Sequence, residues 1–209
     1  MIRFDRAGYP FFAVSLVLAA LSWAWVSTWL ALLFLVLFAF FLFFFRDPDR
    51  RPATVADAVV SPADGRVLVA GPAVAGAAPE GEWQQISIFL SPMDVHVNRV
   101  PVSGRVTRVS FTPGKFLPAY APDAATSNER SEIWIDHDGK AVVARQIVGI
   151  LARRVVCRLK AGAQVQAGER YGVMKFGSRM DVFLPLSADI LVEVGATVRA
   201  AETVIAVLH

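Results

Sequence analysis

From Tyr9 to Phe45 the sequence carries no charged residue. As one straight helix this run would be about 55 Å long, at ~1.5 Å per residue. A hydrocarbon core is only about 30 Å thick, so one upright span is too long and two short spans fit. Ser22, Ser27 and Thr28 interrupt the apolar run, and a break is expected there. Trp23, Trp25 and Trp29 cluster at the same place, and tryptophan favours the headgroup level. Arg3 and Arg6 precede the run, and Arg46, Arg50 and Arg51 follow it. Positive flanks mark the cytoplasmic side, so the expectation is a helical hairpin with both ends inside. No small-residue cleavage site follows a short apolar core, which argues against a signal peptide. One long tilted helix, or a hairpin that dips into a single leaflet, stays open as an alternative.

Pro48 and Pro52 end the helical pattern, and the charges between them belong in water. The reading is therefore a membrane hairpin with its flank over residues 1–52 and a second domain over 53–209. In that domain short apolar or alternating runs are punctuated by Gly and Pro. Examples are Gly65–Val69, Gln85–Leu90, Gly104–Val109, Glu132–Ile135, Ala141–Ala144 and Val155–Leu159. Strands at such spacing predict a mostly β, compact sandwich or barrel. Residues 144–154 read equally well as strand or short helix. Ala161–Glu169 resembles Val194–Glu202, and each is followed by an apolar strand. These turns resemble the hairpin repeats of lipoyl-type sandwiches, whose glycines accept positive φ. A net charge of +3 is too small to argue for nucleic acid. Basic residues beside a membrane segment favour anionic headgroups instead. The single cysteine, Cys157, excludes an internal disulfide framework and gives no metal cluster; it reads as a small buried apolar residue.

Four constellations carry chemistry. Gly177-Ser178 lies between an apolar run, Val173 to Phe176, and an alternating one, Met180 to Leu184, that reads as a half-buried strand. It sets a hydroxyl beside an unhindered carbonyl, although a plain turn would use the same pair. Asp94, His96 and Asn98 share one face if the chain is extended, with Arg99 next to them. An acid, an imidazole and an amide on one face are costly to bury without a function. His137 reads as an exposed turn and His209 as the terminus. Asp64, in Ser61-Pro62-Ala63-Asp64-Gly65, is either a turn residue or the carboxylate that orients an imidazole. Asn128-Glu129-Arg130 follows a polar loop that can lie over a site.

Taken in order, Phe45-Arg46-Asp47-Pro48, Ser61 to Gly65, the segment around Asp94 and His96, Asn128-Glu129-Arg130 and Phe176-Gly177-Ser178-Arg179 resemble the short form of the phosphatidylserine decarboxylase proenzymes. The resemblance covers nearly the whole chain, and five motifs in order are specific where each alone is weak. It implies self-cleavage: Ser178 attacks the Gly177 carbonyl, and elimination leaves a β chain ending at Gly177. The α chain, 209 − 177 = 32 residues, then begins with a pyruvoyl group made from Ser178. It implies that this covalent group condenses with the amine of phosphatidylserine as a Schiff base and drains the electrons left by decarboxylation, with no pyridoxal phosphate and no metal. The two chains would form a heterodimer, with a higher homo-oligomer left open. The site would face headgroups on the cytoplasmic side of the cell membrane.

By the same resemblance His96 and Asp64 are the expected catalytic helpers, with Asp64 holding the His96 tautomer. Asp94, Asn98, Arg99 and Lys175 are the expected substrate contacts. Longer bacterial relatives carry a second histidine where this chain has Arg99, so the self-cleavage base is the open assignment. Arg46, Arg50, Arg51, Arg153 and Arg154 are further expected headgroup contacts. A non-catalytic lipoyl-like adaptor is the rival reading, as is decarboxylation of another seryl lipid. The adaptor needs a carrier lysine at a hairpin tip, where this chain offers Gly177-Ser178 with Lys175 before it.

Overall fold

The computed structural model describes residues 3–150, 155–175 and 177–209. Two compact units are present, Met1–Asp49 and Arg50–His209.

In the first unit α1 (Tyr9–Trp25) and α2 (Thr28–Phe44) form a hairpin. The break falls where the polar residues interrupt the apolar run. Ser27 caps α2, its side chain accepting from the Trp29 N–H at 3.2 Å. Small residues line the seam: Ser15, Ala19, Ser22 and Ala31 are buried, and Ser15 Oγ donates back to the Phe11 carbonyl at 2.7 Å. Phe44 and Phe45 are buried at the base, but most other bulky side chains point outward. Trp23, Trp25 and Trp29 are 75%, 80% and 82% exposed. That is the reverse of a water-soluble hairpin. The helical stretch Arg6–Trp25 is 20 residues long with mean hydropathy 1.6, enough in length and composition to cross a membrane, while Thr28–Phe44 is shorter. The chain ends of the hairpin are tied by β1 (Arg3–Phe4) against β2 (Arg46–Asp47), antiparallel.

The second unit is built of strands. Its main strands are β3 (Ala58–Val60), β4 (Gly65–Pro72), β5 (Gln84–Leu90), β6 (Val97–Arg99), β7 (Gly104–Thr112), β8 (Arg130–His137) and β9 (Lys140–Ile147). They are followed by β10 (Val155–Cys157), β11 (Gln164–Val165), β12 (Arg170–Met174), β13 (Ser178–Leu184), β14 (Asp189–Ile190), β15 (Thr197–Val198) and β16 (Val204–Val207). One turn of helix, α3 (Ala124–Ser127), precedes β8. Eight strands make a curled half-barrel sheet in the order β11-β7-β8-β9-β13-β5-β4-β15. Two three-stranded sheets, β10-β12-β6 and β14-β16-β3, complete the unit. The expected strands are all present. Residues 144–147 are strand, and 151–154 lie outside the described residues.

Alternation fills the core. Ile86, Ile88 and Leu90 of β5, Met180, Val182 and Leu184 of β13 and Ile133 and Ile135 of β8 share one apolar cluster. The repeat seen in the sequence is half of a larger one. Pro62-Ala63-Asp64-Gly65-Arg66-Val67 and Pro101-Val102-Ser103-Gly104-Arg105-Val106 fold alike. Val67 exchanges hydrogen bonds with Gly195 and Ala196, as Val106 does with Gly162 and Ala163. Thus β15 and β11 close opposite edges of the sheet in the same way. Gly65 and Gly104 share φ +153°, and a side chain at either would run into the carbonyl of Phe89 or Asp136.

Strand β13 departs from the half-buried reading. All seven residues are buried, on both faces. The loop after β4 covers the outer face: Val74 N–H donates to Gln85 Oε1 at 2.9 Å and Arg145 donates to the Ala77 carbonyl. Beneath it Arg179 Nε meets Asp181 Oδ1 at 2.6 Å and Arg179 Nη2 donates to Ser87 Oγ at 2.9 Å. Gln85 Nε2 reaches Asp181 Oδ2 at 3.3 Å. Arg145 pairs with Glu132 at 2.7 Å. Burial pulls the Arg145 guanidinium below its ordinary range, against the upward pull of Glu132 and Asp181.

Candidate active site

The short link from β12 to β13 carries Gly177, whose φ is +73°. Nothing lies within 4 Å of the place a Cβ would take there. The left-handed backbone, not crowding, therefore requires glycine at 177. Ser178 opens β13 and pairs with Leu90 of β5. It is fully buried. Among the described residues Ser178 Oγ, Asn98 Nδ2 and Gln146 Oε1 are buried without a hydrogen-bond partner. An orphaned buried polar atom costs about 1–3 kcal/mol, so such atoms call for an explanation.

Those atoms belong to one neighbourhood. Gln146 on β9 lies opposite Met180, the next residue of β13 on the Ser178 face. Gln146 Nε2 donates to Asn98 Oδ1 at 2.8 Å. Gly172, across from Asn98 on β12, makes that reach possible: a Cβ at 172 would come 2.7 Å from Gln146 Nε2. No local sequence pattern marks Gln146 or Gly172 as part of a site. A glutamine in an apolar strand is the nearest thing to a signal.

His96 is fully buried just before β6. Its Nδ1 faces the backbone carbonyl of Asp94 at 2.9 Å, and its own carbonyl accepts from Met174 N–H at 3.2 Å. The imidazole is thereby fixed beside the end of β12, three residues before Gly177. The Asp94 carboxylate accepts from the Ser91 N–H at 2.7 Å, which closes the turn that delivers His96. The expected common face of Asp94, His96 and Asn98 breaks at Asp94, because β6 begins only at Val97.

Asp64 was expected at the imidazole. Its carboxylate takes the Ala200 N–H at 2.8 Å and Arg50 Nη2 at 2.7 Å, while the Asp94 carbonyl holds His96 Nδ1. Ser103, the counterpart of Asp64 in the folded repeat, accepts from the Ala167 N–H at 3.0 Å in the same manner. One Asp64 oxygen thus serves the repeat, and the other the arginine. Arg50, expected at headgroups, also pairs with Glu202 at 2.9 Å. Arg99 is nearly buried and donates to the Gly168 carbonyl at 3.1 Å. Lys175 is half-buried. Phe176, Arg153 and Arg154 lie outside the described residues.

A cavity of about 350 Å³ opens at the junction, lined by Phe89, Pro92, Pro118, Ala119, Tyr120, Ile150 and Gly177. Its lining is apolar. Tyr120 meets Phe89 edge-on, with ring centres 5.8 Å apart. Pro118, Ala119 and Tyr120 come from the loop before α3. Asn128 ties that loop down: its Oδ1 accepts from the Leu117 N–H at 2.9 Å and its Nδ2 donates to the Leu117 carbonyl at 2.8 Å. Cys157, by contrast, is not poised for reaction. Burial pushes its thiol up, so it stays protonated at neutral pH.

The arrangement combines a nucleophilic hydroxyl, the adjacent carbonyl of a left-handed glycine, a fixed imidazole and an apolar cavity. Comparison with known proteins agrees with it. The family model described as phosphatidylserine decarboxylase matches residues 37–206. A phosphatidylserine decarboxylase proenzyme of Prosthecochloris aestuarii is 46% identical over 172 residues, 82% of this chain and 79% of its own. One from Cupriavidus taiwanensis is 42% identical over 205 residues, 97% of this chain and 94% of its own. One from Geotalea uraniireducens is 43% identical over 206 residues, 96% and 94%. With a matched span that holds the Gly177–Ser178 junction, His96 and the cavity, the chain belongs to the phosphatidylserine decarboxylase family.

Proposed function

We propose that this chain cleaves itself between Gly177 and Ser178 and then decarboxylates phosphatidylserine to phosphatidylethanolamine. The observation that carries the proposal is Ser178: a buried hydroxyl without a hydrogen-bond partner among the described residues, next to a left-handed glycine at the mouth of an apolar cavity.

The cleavage conserves atoms and electrons at each step. Ser178 Oγ adds to the Gly177 carbonyl carbon, the C–N bond breaks as the C–O bond forms, and the hydroxyl proton ends on the Ser178 nitrogen. Loss of the Ser178 α proton then expels the Gly177 carboxylate with the Cβ–O electron pair. The new C=C unit tautomerises to an imine, takes up water and releases ammonia. The result is a β chain of residues 1–177 and an α chain of 178–209 that starts with a pyruvoyl group. The residues fit that group: Ser178 sits at a strand end with an unhindered glycine before it, and the cavity opens at Gly177. Once formed, the pyruvoyl group supplies the electron sink that decarboxylation of an amino acid requires.

His96 moves protons. Its ring, held through Nδ1, takes the Ser178 hydroxyl proton during cleavage and returns a proton to the substrate Cα after carbon dioxide leaves. Asp94 holds that ring through its carbonyl, and Asp64 supports the site through the loop of Ala200. Arg99 and Lys175 supply positive charge for the substrate carboxylate and phosphate, and Asn98 supplies its amide. The apolar cavity takes the glycerol and the upper acyl carbons, which keeps water from the carbanion. The hairpin and flank of residues 1–52 hold the catalytic domain, 53–209, on the cytoplasmic face of the membrane. A cysteine placed near Ser27 should then resist a reagent confined to the cytoplasmic side; labelling from that side rules out spanning.

The direct test uses the full chain in phosphatidylserine vesicles. Wild type should run as two chains and release carbon dioxide, and Ser178→Ala should run as one chain without activity. A Ser178→Ala protein that still cleaves, or still decarboxylates, overturns the proposal.

A further inference from the structure

The turn after β9 meets the scissile carbonyl. Val148 N–H donates to the Glu129 carbonyl at 3.1 Å, and the Val148 carbonyl accepts from Asn128 Nδ2 at 2.8 Å. Asn128 is fully buried, and its amide also closes on both backbone groups of Leu117. Val148, the residue before Gly149, is therefore pinned through both of its backbone groups. Gly149 itself does not have a positive φ. Conformational freedom is not the reason for a glycine there. Space is: a Cβ at 149 would overlap the Gly177 carbonyl oxygen and lie 3.4 Å from Ala119 Cβ.

Gly177 needs such a neighbour. Its own side is open, with nothing within 4 Å of a notional Cβ, so side-chain packing at 177 does not fix the orientation of its carbonyl. The fixed surface lies opposite, at Gly149.

We propose that Gly149 is a positioning residue for self-cleavage. Its bare backbone, anchored by Asn128, seats the Gly177 carbonyl so that Ser178 Oγ can add to the carbonyl carbon. Any side chain at 149 displaces that carbonyl, or the 148–150 turn, by more than a bond's tolerance. The step affected is the first one, formation of the C–O bond with breakage of the C–N bond, and not the later elimination. This inference rests on the junction being the cleavage site, as proposed above.

The test follows maturation of freshly synthesised full-length chain by denaturing gel and intact mass, with and without neutral hydroxylamine. Hydroxylamine cuts an ester at 177–178 but not an amide. A displacement of about 1 Å costs on the order of 100-fold, so Gly149→Ala should mature about 100-fold more slowly. Hydroxylamine should not release residues 1–177 from it, because no ester has formed. Its far-ultraviolet circular dichroism and melting curve should match those of the Ser178→Ala precursor. Asn128→Asp supplies a second reading. It keeps the size of the side chain but removes the donor to Val148, and should slow maturation by about tenfold. Maturation of Gly149→Ala within about twofold of wild type, or its accumulation as a hydroxylamine-sensitive ester, overturns the inference. If that variant fails to fold, wild-type maturation of Asn128→Asp overturns it instead. A wild-type chain that stays whole overturns the cleavage site itself, and this inference with it.

Discussion

In the second unit the Ser178 hydroxyl and the Tyr171 phenol are buried and the Cys157 thiol is half-buried, and each has a different consequence. The Ser178 hydroxyl costs stability where it stands, which fits a group whose role is chemical. The Cys157 thiol is a packing atom. The Tyr171 phenol is fully buried and touches Met180 Sδ at 3.7 Å. Burial holds it well above its ordinary value of 10.0, with the Cys157 charge adding to the shift. The sign follows. A group whose proton is held more tightly in the fold stabilises the protein below its unfolded pKa and loses that contribution as pH rises. Above about pH 10 the unfolding free energy should fall by about 1.4 kcal/mol per pH unit more in the Ser178→Ala precursor than in the same precursor with Tyr171→Phe. Urea titrations at several alkaline pH values measure it; equal slopes would contradict the assignment. At this scale the sequence pointed to Gly177, Ser178 and His96 as candidates, because their chemistry belongs to the residue type. It did not show Gly149 or Gln146. A glycine needed for space is defined by the carbonyl opposite it, and that carbonyl lies far along the chain.

Among the elements, β13 does the most. Its apolar face joins the core, and its polar face holds Arg179 against Asp181 and Ser87 under the loop after β4. The alternation of Met180 to Leu184 marked a strand correctly but suggested that one face was wet. It is dry because a distant loop covers it, and no local pattern carries that information. A dry ion pair makes a sharp prediction. Arg179→Met in the Ser178→Ala precursor leaves Asp181 buried without its cation and should lower stability by about 3–5 kcal/mol. Chemical denaturation of both single-chain proteins gives the difference. A loss below about 1 kcal/mol would mean that the pair is solvated, as exposed pairs are. The helical hairpin was legible in advance for a simple reason: the absence of charge over a length greater than a bilayer admits few solutions.

Over the whole molecule, the β fold was readable from short strands and turn glycines, and the repeat from Gly162 and Gly195. The matching Pro-x-x-Gly-Arg-Val segments are evident only once Val67 and Val106 are seen in equivalent ladders. The fold also determines what cleavage can do. The proposed α chain contributes β13, which lies between β9 and β5 in the middle of the main sheet. Removing it would open the core, so the two chains should co-elute in native size exclusion and separate only in denaturant. Release of the α chain under native conditions would contradict this placement.

The central claim is the conversion of Ser178, and the intact mass of the polypeptide that begins at residue 178 tests it most directly. The expected species is residues 178–209, lighter by one ammonia than the same peptide with a serine terminus, and it should react with a hydrazide probe. An active preparation in which residue 178 is still serine, in an unbroken chain or at a free terminus, would contradict the account.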